Sequence, residues 1–339
     1  MHFSWNNVND DGLFGPKSLF MVTLDYVSKN AESIQCLIGF PDIVGQKIFE
    51  RYISLNEFIC CSARDHIKVI RTFKIAYENL LLESLNLNSN LLVINEYLDH
   101  ILELTHFITE LCVCDCYLGN NHELIEHISN LHRFCRRNSA LELKKLCLKN
   151  NSLKDGAIRK ITLPLRMFNK GPTQLEYLNL AGNKITDDIV PWLSAFKALQ
   201  FLNVTDSDIT NKGADIIKRK YCMELYSSDC DTTVIVTKGW ASDLIKKWID
   251  ICTSRRKNKR IKIQNSFYSK KRSNEAEKAL SYNKVKTISK IMIFKRVPYK
   301  ESCVNPLAPK VTTLFQTPDY YKEAIKKEIF SQYLFNGPK

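Results

Sequence analysis

The stretch QLEYLNLAGNKITDD, residues 174–188, is the most informative about the fold class of this chain. Its apolar side chains and one asparagine follow the spacing L-x-x-L-x-L-x-x-N-x-L, with the members Leu175, Leu178, Leu180, Asn183 and Ile185. Within it the alternation L-x-L indicates a short half-buried strand. One such unit cannot bury its apolar side chains alone, so the spacing predicts further copies stacked beside it.

The same spacing recurs on both sides of this stretch. Five matches begin at residues 82, 108, 143, 175 and 199, separated by 26, 35, 32 and 24 residues. Cys116 and Ser207 take the asparagine position in the second and fifth matches. We interpret the matches as leucine-rich repeats, and the two long intervals predict longer helices or loops than in the usual repeat of about 20–29 residues.

We therefore predict an α/β fold, a short leucine-rich repeat solenoid of about five coils with strands on a concave side and helices on a convex side. The helical halves are expected at 95–104, 122–131, 155–168, 187–196 and 212–220. Asp155 and Asp187 are placed to cap two helices, and Pro164 is expected to end or kink one. The asparagine of each turn is expected to bond backbone groups of neighbouring coils.

The domain organisation follows from the apolar ends of such a stack, which need caps. We predict a flexible N-terminus at 1–16, a helical N-terminal cap at 17–80, the repeats at 81–221, a C-terminal cap at 222–253 and a basic tail at 254–339. The C-terminal cap is inferred from Trp240, Leu244 and Trp248, which form one apolar helical stripe. The tail has too few apolar residues for a core and is predicted to be mostly disordered.

Charge is unevenly distributed along the chain. Residues 1–253 carry 28 Lys and Arg and 30 Asp and Glu, a net charge of −2, whereas residues 254–339 carry 21 and 6, a net charge of +15. Two basic clusters fit a bipartite nuclear import signal: Arg255, Arg256, Lys257, Lys259, Arg260, Lys270, Lys271 and Arg272. We expect a nuclear protein, compatible with a further cytoplasmic pool, and an import receptor as a partner. Nucleic-acid contact through the same segment is the competing interpretation.

No catalytic constellation is found in the sequence. HELIEH at 122–127 resembles the zinc-protease signature H-E-x-x-H, but its histidines stand at i, i+5, about 140° apart on a helix. The sequence contains no phosphate-binding loop, nucleophile elbow or kinase motif. We therefore predict a protein that is not an enzyme and that needs no cofactor.

The twelve cysteines form no C-x-x-C pair and no zinc-finger spacing. The first residues lack a secretory signal and no apolar run is long enough for a membrane span, so we expect free thiols in a reducing intracellular compartment and no membrane partner. Cys112, Cys114 and Cys147 are predicted to lie together on the concave face. Whether they bind a soft metal stays open, because no histidine or second cysteine pair aligns with them.

Non-catalytic protein binding on the concave face is the function we predict. Strand alternation places three rows of side chains there, beginning at Ser84, Asn86 and Asn88. Exposed aromatic residues beside charges are typical of protein interfaces, which predicts four contact residues: Lys145, Lys149, Tyr177 and Phe201. The alternative is that the two aromatic side chains pack under a loop or under the C-terminal cap.

A second interpretation concerns the first predicted helices. SLFMVTLDYV at 18–27 is similar to the elongin-binding box of cullin ligase receptors, and FPDIVGQKI at 40–48 is similar to the cullin box that often follows it. This similarity implies a substrate receptor of an elongin/cullin ubiquitin ligase, with Leu19 as the apolar anchor. Thr23 departs from the Cys, Ser or Ala preferred there, and any amphipathic capping helix contains such spacings, so a capping role competes with it.

Strings outside the generic repeat spacing carry a more specific resemblance. They are KSLF at 17–20, SIQCLIGFP at 33–41, ELIEHISN at 123–130, the run 148–160, TKGW at 237–240 and FYSKKRS at 267–273. On these, residues 17–272 resemble the leucine-rich repeat-containing protein 42 family. The resemblance implies an intracellular leucine-rich repeat fold with an interaction role and carries over no catalytic residue. After Ser273 the sequence departs from the family pattern.

Overall fold

Five short parallel strands, one from each predicted repeat, form most of the sheet. The computed structural model describes residues 18–55, 64–130, 143–226, 234–267 and 291–297. The strands are β1 Ser84–Asn86, β2 Glu110–Cys112, β3 Lys145–Cys147, β4 Tyr177–Asn179, β5 Phe201–Asn203, β6 Met223–Leu225 and β7 Ile293–Arg296. They form one sheet in the order β1-β2-β3-β4-β5-β7-β6. The chain therefore has a mixed α/β fold with a seven-stranded sheet.

The register of the parallel strands follows the leucine spacing. The middle residues of neighbouring strands are paired along the series Leu85, Leu111, Leu146, Leu178 and Leu202. Each is at most 1% exposed, and all five belong to one core cluster. The prediction that consecutive repeat leucines share one continuous interior is confirmed.

Three α-helices in the described residues precede the first strand in the chain, and the helices contribute side chains to the same core as the strand leucines. They are α1 Leu19–Lys29, α2 Asp42–Leu55, α3 Arg64–Leu81, α4 Leu91–Glu96, α5 Leu98–Leu104, α6 Glu123–Asn130, α7 Asp155–Phe168, α8 Asn211–Tyr221 and α9 Ser242–Phe267. The helix expected at 95–104 is split at Tyr97 into α4 and α5. Asp187–Ala195 is a 3₁₀ helix containing Pro191, which lacks the amide that an α-helical bond would use.

The expectation that Asp155 and Asp187 cap two helices was wrong, because the capping positions are Lys154 and Thr186. Pro164 lies inside α7, which continues to Phe168 and ends with Asn169 in the left-handed conformation. Asp155 is the first residue of α7 and not its cap; its carboxylate accepts hydrogen bonds from the backbone N (2.8 Å) and Oγ1 (2.9 Å) of Thr186. Asp187 binds Thr210 in the same way, at 2.8 and 2.5 Å. These aspartates therefore connect successive repeats.

The turns after β3 and β4 are held by the buried asparagines Asn151 and Asn183, which bond the preceding repeat as predicted. Asn183 is 2% exposed, and its Nδ2 donates to the carbonyl oxygens of Leu148 (2.9 Å) and Leu180 (2.8 Å). Its Oδ1 accepts from the backbone amides of Asn151 and Leu153, each at 3.0 Å. Asn183 thus joins its own repeat to the preceding one and satisfies backbone groups that burial removes from water.

Residues 234–267 lie at the first repeat and not at the last one. Residues 234–241 bond to β1 and to the end of α3, on the opposite side of the repeats: Lys238 N donates to Ser84 O (3.0 Å), and Ala241 N donates to Leu81 O (2.9 Å). Helix α9 then packs on the first repeat, where the Trp248 ring stacks on Tyr97 with centroids 4.5 Å apart. The placement of 222–253 as a C-terminal cap was therefore wrong for this part. An apolar stripe shows that a helix covers a surface, but not which surface.

The last repeat is covered by a strand from the predicted tail. β7 runs antiparallel to both β5 and β6, and Phe294 pairs with Leu202 on one side and Leu225 on the other. Phe294 is fully buried. Helix α9 also extends past residue 254, where the tail was expected to begin. The other predicted tail residues, 268–290 and 298–339, and the predicted flexible N-terminus at 1–16 lie outside the described residues.

None of the helices in the described ranges combines the length and apolar character that crossing a bilayer requires.

Candidate functional site

The sheet face opposite the leucine core, here called the strand face, carries the first and third residues of β1 to β5. Strand pairing aligns Ser84, Glu110, Lys145, Tyr177 and Phe201 in one row and Asn86, Cys112, Cys147, Asn179 and Asn203 in the next. The predicted first two rows are thus present. This face corresponds to the predicted concave side.

The four predicted contact residues differ in accessibility. Tyr177 and Phe201 stack with centroids 4.8 Å apart and ring planes 7° apart. Tyr177 is only 8% exposed, so the expectation that both rings are exposed was wrong for Tyr177, which lies between Lys145 and Phe201 in its row. Lys145 is half-buried and its Nζ lies 2.7 Å from Glu110 Oε1. Phe201 is half-buried and Lys149 is exposed.

The chain itself covers the strand face next to β1. Asn86 Nδ2 donates to Ile235 O (2.8 Å), and Asn86 N donates to Thr237 Oγ1 (3.0 Å). Ile235 is 3% exposed and packs against Cys112 and Cys114 in a small apolar cluster separate from the main core. Sequence reasoning missed this covering segment. The sequence feature that could have drawn attention to this segment is the string TKGW at 237–240, which carries part of the family resemblance.

Three cysteines lie together under Ile235. The Sγ of Cys114 lies 2.9 Å from the Sγ of Cys147 and 3.5 Å from that of Cys112, and all three sulfur atoms are within 4.8 Å of one another. All three are free thiols. Hydrogen bonds from the other two thiols lower the pKa of Cys112, while the same interactions and burial raise the pKa of Cys147. The cluster therefore releases a first proton more readily than the later ones.

The histidines of HELIEH face different partners. His127 Nε2 lies 3.0 Å from Thr105 Oγ1, whereas His122 Nε2 lies 3.3 Å from Asn95 Oδ1. In the part of the chain that the structure describes, the three cysteines are the one group of His, Cys, Asp or Glu arranged to hold a metal ion.

The first two helices leave large apolar side chains exposed. Leu19 is 82% exposed, Tyr26 70% and Ile43 71%. α1 packs through Leu24 instead, and Ile48, the last position of the cullin-like segment, is buried in the core. A capping role for α1 therefore does not use Leu19.

The first basic cluster lies on helix α9. Arg255, Arg256 and Lys257 are exposed, and Arg255 Nη1 lies 2.7 Å from Glu96 Oε2 on α4. Lys259 and Arg260 follow on the same helix. The second cluster, 270–272, lies outside the described residues.

Parallel strands with leucines in register and buried asparagine turns define a leucine-rich repeat protein. Comparison with known proteins gives the particular group: the chain belongs to the leucine-rich repeat-containing protein 42 family. It is 33% identical to the member from Xenopus tropicalis over 247 residues, which cover 69% of this chain and 55% of that protein. It is 30% identical to the Rattus norvegicus member over 288 residues, which cover 82% and 66%.

The Homo sapiens member is 30% identical over 256 residues, which cover 73% of this chain and 57% of that protein. The chain therefore matches between about half and two thirds of the length of these curated relatives. No family model matches the chain.

Proposed function

We propose that this chain is a non-catalytic protein-interaction scaffold. In this proposal residues 81–221 form a short leucine-rich repeat solenoid, and the strand face binds a protein partner. The supporting observation is the stacked aromatic pair of Tyr177 and Phe201 in the same row as Lys145, with Lys149 exposed four residues after Lys145. Aromatic anchors surrounded by polar groups dominate the binding energy of protein interfaces.

In this proposal the four predicted residues have different roles. Phe201 and Lys149 contact the partner directly. Tyr177 supports the Phe201 ring from its buried position, and Lys145 is oriented by Glu110. A rigid aromatic side chain loses little conformational freedom when it binds, which favours Phe201 as the anchor.

Site-specific crosslinking tests the location. A photoreactive amino acid at position 149 is expected to give a discrete adduct in cells, whereas the same group at Arg159, exposed on α7, gives none. Phe201→Ala is expected to reduce the adduct at least about tenfold, since an interface anchor contributes more than about 1.4 kcal/mol. Phe168→Ala, which truncates a phenylalanine 58% exposed on α7, is the matched control. Equal adducts at positions 149 and 159 would contradict the proposal.

We also propose that the scaffold acts in the nucleus. Support comes from the net charge of +15 in residues 254–339 and from the exposed side chains of Arg255, Arg256 and Lys257. A reporter fused to residues 250–275 is expected to enter the nucleus and to remain cytoplasmic when Lys270, Lys271 and Arg272 are changed to alanine. A cytoplasmic unmodified reporter would refute this part. Retention on a polyanion column that is lost on deleting 254–272 would support nucleic-acid contact instead.

A second candidate function is that of a substrate receptor in an elongin/cullin ubiquitin ligase. The observation that favours it is Leu19, which starts α1 and is 82% exposed, the position of the apolar anchor in the similar box. Leu19→Asp is expected to abolish binding to purified elongin complex without lowering Tm, while Ile75→Asp on the exposed face of α3 leaves binding unchanged. Absence of binding by the unmodified chain would remove this candidate.

A further inference from the structure

The strand face holds a group of thiols that the interaction function does not require. Cys112 and Cys147 occupy paired positions on β2 and β3, and Cys114 follows two residues after Cys112 on the same side. Their sulfur atoms lie within 4.8 Å of one another. Three sulfur atoms bound to one metal ion in a plane, at about 2.3 Å each, are about 4 Å apart. Small side-chain rotations therefore suffice to bring the three thiols around one ion.

The surroundings of the thiols suit a bound soft cation. Ile235 packs over Cys112 and Cys114, which are 9% and 6% exposed, so water has little access. An apolar shell of this kind controls solvent access to a metal. Lys145 and Lys149 stand two residues before and after Cys147, so both project to its side of the strand.

We propose that Cys112, Cys114 and Cys147 bind one Cu(I) ion on the strand face. Thiolates are soft ligands that select Cu(I) and zinc, and geometry decides between the two. A structural zinc site needs four protein ligands. In the described residues no fourth His, Cys, Asp or Glu joins the three sulfur atoms. A planar three-thiolate site is complete for Cu(I) and incomplete for zinc. The proposal does not depend on the proposed interaction function.

Competition with a Cu(I) chelator tests the proposal on the full chain. The reduced protein is titrated with Cu(I) under anaerobic conditions in the presence of bathocuproine disulfonate. Cys147→Ser is expected to withdraw one equivalent less Cu(I) than the unmodified chain. Cys222→Ser, which changes an exposed cysteine, is expected to keep that equivalent. The same stoichiometry in both variants overturns the proposal, as does tighter binding of Zn(II) than of Cu(I).

A second measurement needs no variant and so does not depend on the variant folding. The unmodified chain is alkylated with iodoacetamide with and without one equivalent of Cu(I), and modified peptides are quantified by mass spectrometry. Cu(I) is expected to slow alkylation of Cys147 at least about tenfold, because the free thiolate is the nucleophile. Cys36 and Cys222, both exposed, are expected to react equally with and without the ion. Unchanged alkylation of Cys147 contradicts the site.

Discussion

His127 shows how burial at one residue creates a pH response. The side chain lies on α6, with Nε2 3.0 Å from Thr105 Oγ1 and its ring centroid 5.1 Å from that of His106. Burial and the neighbouring His106 lower the pKa of His127 to about 4. Burial likewise lowers the pKa of His106 and of His100. The folded chain therefore favours neutral imidazoles at these positions.

The sign of the effect on stability follows from the lowered pKa. The unfolded chain takes up a proton near pH 6.5 and the folded chain only near pH 4, so stability is full above pH 6.5 and falls between these values. His127 alone is expected to reduce the free energy of unfolding by about 2 kcal/mol between pH 8 and pH 5. Urea denaturation at both pH values measures this loss, and His127→Gln is expected to diminish it by that amount. A variant with the pH dependence of the unmodified chain would show that His127 is not responsible.

Asn183 carries a prediction about the repeat turns. Its amide group makes hydrogen bonds to both its own and the preceding repeat, and alanine would leave buried backbone groups unsatisfied. Asn183→Ala is expected to lower the free energy of unfolding by about 3 kcal/mol. Ser207 takes the equivalent position in the last repeat and donates only to Val204 O at 2.6 Å, so Ser207→Ala is expected to cost about 1 kcal/mol. Equal losses for the two variants, measured by urea denaturation, would contradict a dominant role of the inter-repeat bonds.

At the scale of elements, the placement of α9 on the first repeat carries the next prediction. Trp248 is fully buried and stacks on Tyr97 with an angle of 11° between rings. Trp248→Ala removes a large side chain from a packed interface and is expected to cost about 3–5 kcal/mol. Trp192→Ala, at a half-buried tryptophan near the last repeats, is expected to cost distinctly less. Chemical denaturation followed by circular dichroism compares the two, and a loss below about 1 kcal/mol for Trp248→Ala would argue against this packing.

The repeat spacing of the sequence predicted the strands and the side chains that face each side of the sheet. The five leucines of the strand centres and the rows of the strand face were read from the repeat pattern, because strand alternation and repeat register fix them. The sequence pattern did not predict which later segment covers which end of the repeats. Residues 234–241 bond to the first repeat and residues 291–297 to the last. The periodicity of apolar residues shows which face of an element is buried, but not which distant segment packs against it.

In the candidate site, the sequence predicts which side chains are neighbours but not how deeply they are buried. The adjacency of Cys112 and Cys147 and of Tyr177 and Phe201 follows from strand register alone. Their burial does not, because it depends on what lies over the strand face. Ile235 covers the thiols from another part of the chain, and the packing of neighbouring side chains buries Tyr177 to 8% exposure.

For the whole molecule, both ends of the series of five parallel strands are covered by residues that follow β6 in the chain. Residues 234–241 and α9 cover the end at β1, and β7 pairs with β5 at the other end. A chain ending at residue 226 loses the buried Trp248 and Phe294 and exposes the apolar surface beneath them. Uncovered ends of repeat stacks cause loss of stability and association. The repeats are therefore expected to depend on the chain after residue 226 for folding.

Two truncations separate this dependence from a general effect of shortening. A chain of residues 1–297 keeps α9 and β7 and is expected to unfold in urea with the midpoint and m-value of the full chain. A chain of residues 1–226 is expected to lose the cooperative transition and to associate, as judged by circular dichroism and size-exclusion chromatography. If the shorter chain unfolded at the same urea concentration and with the same m-value as the longer one, the returning segment would be an accessory and not the closure of the repeat stack. Only a loss confined to the shorter chain agrees with a fold whose first repeat is completed by residues some 150 positions later in the sequence.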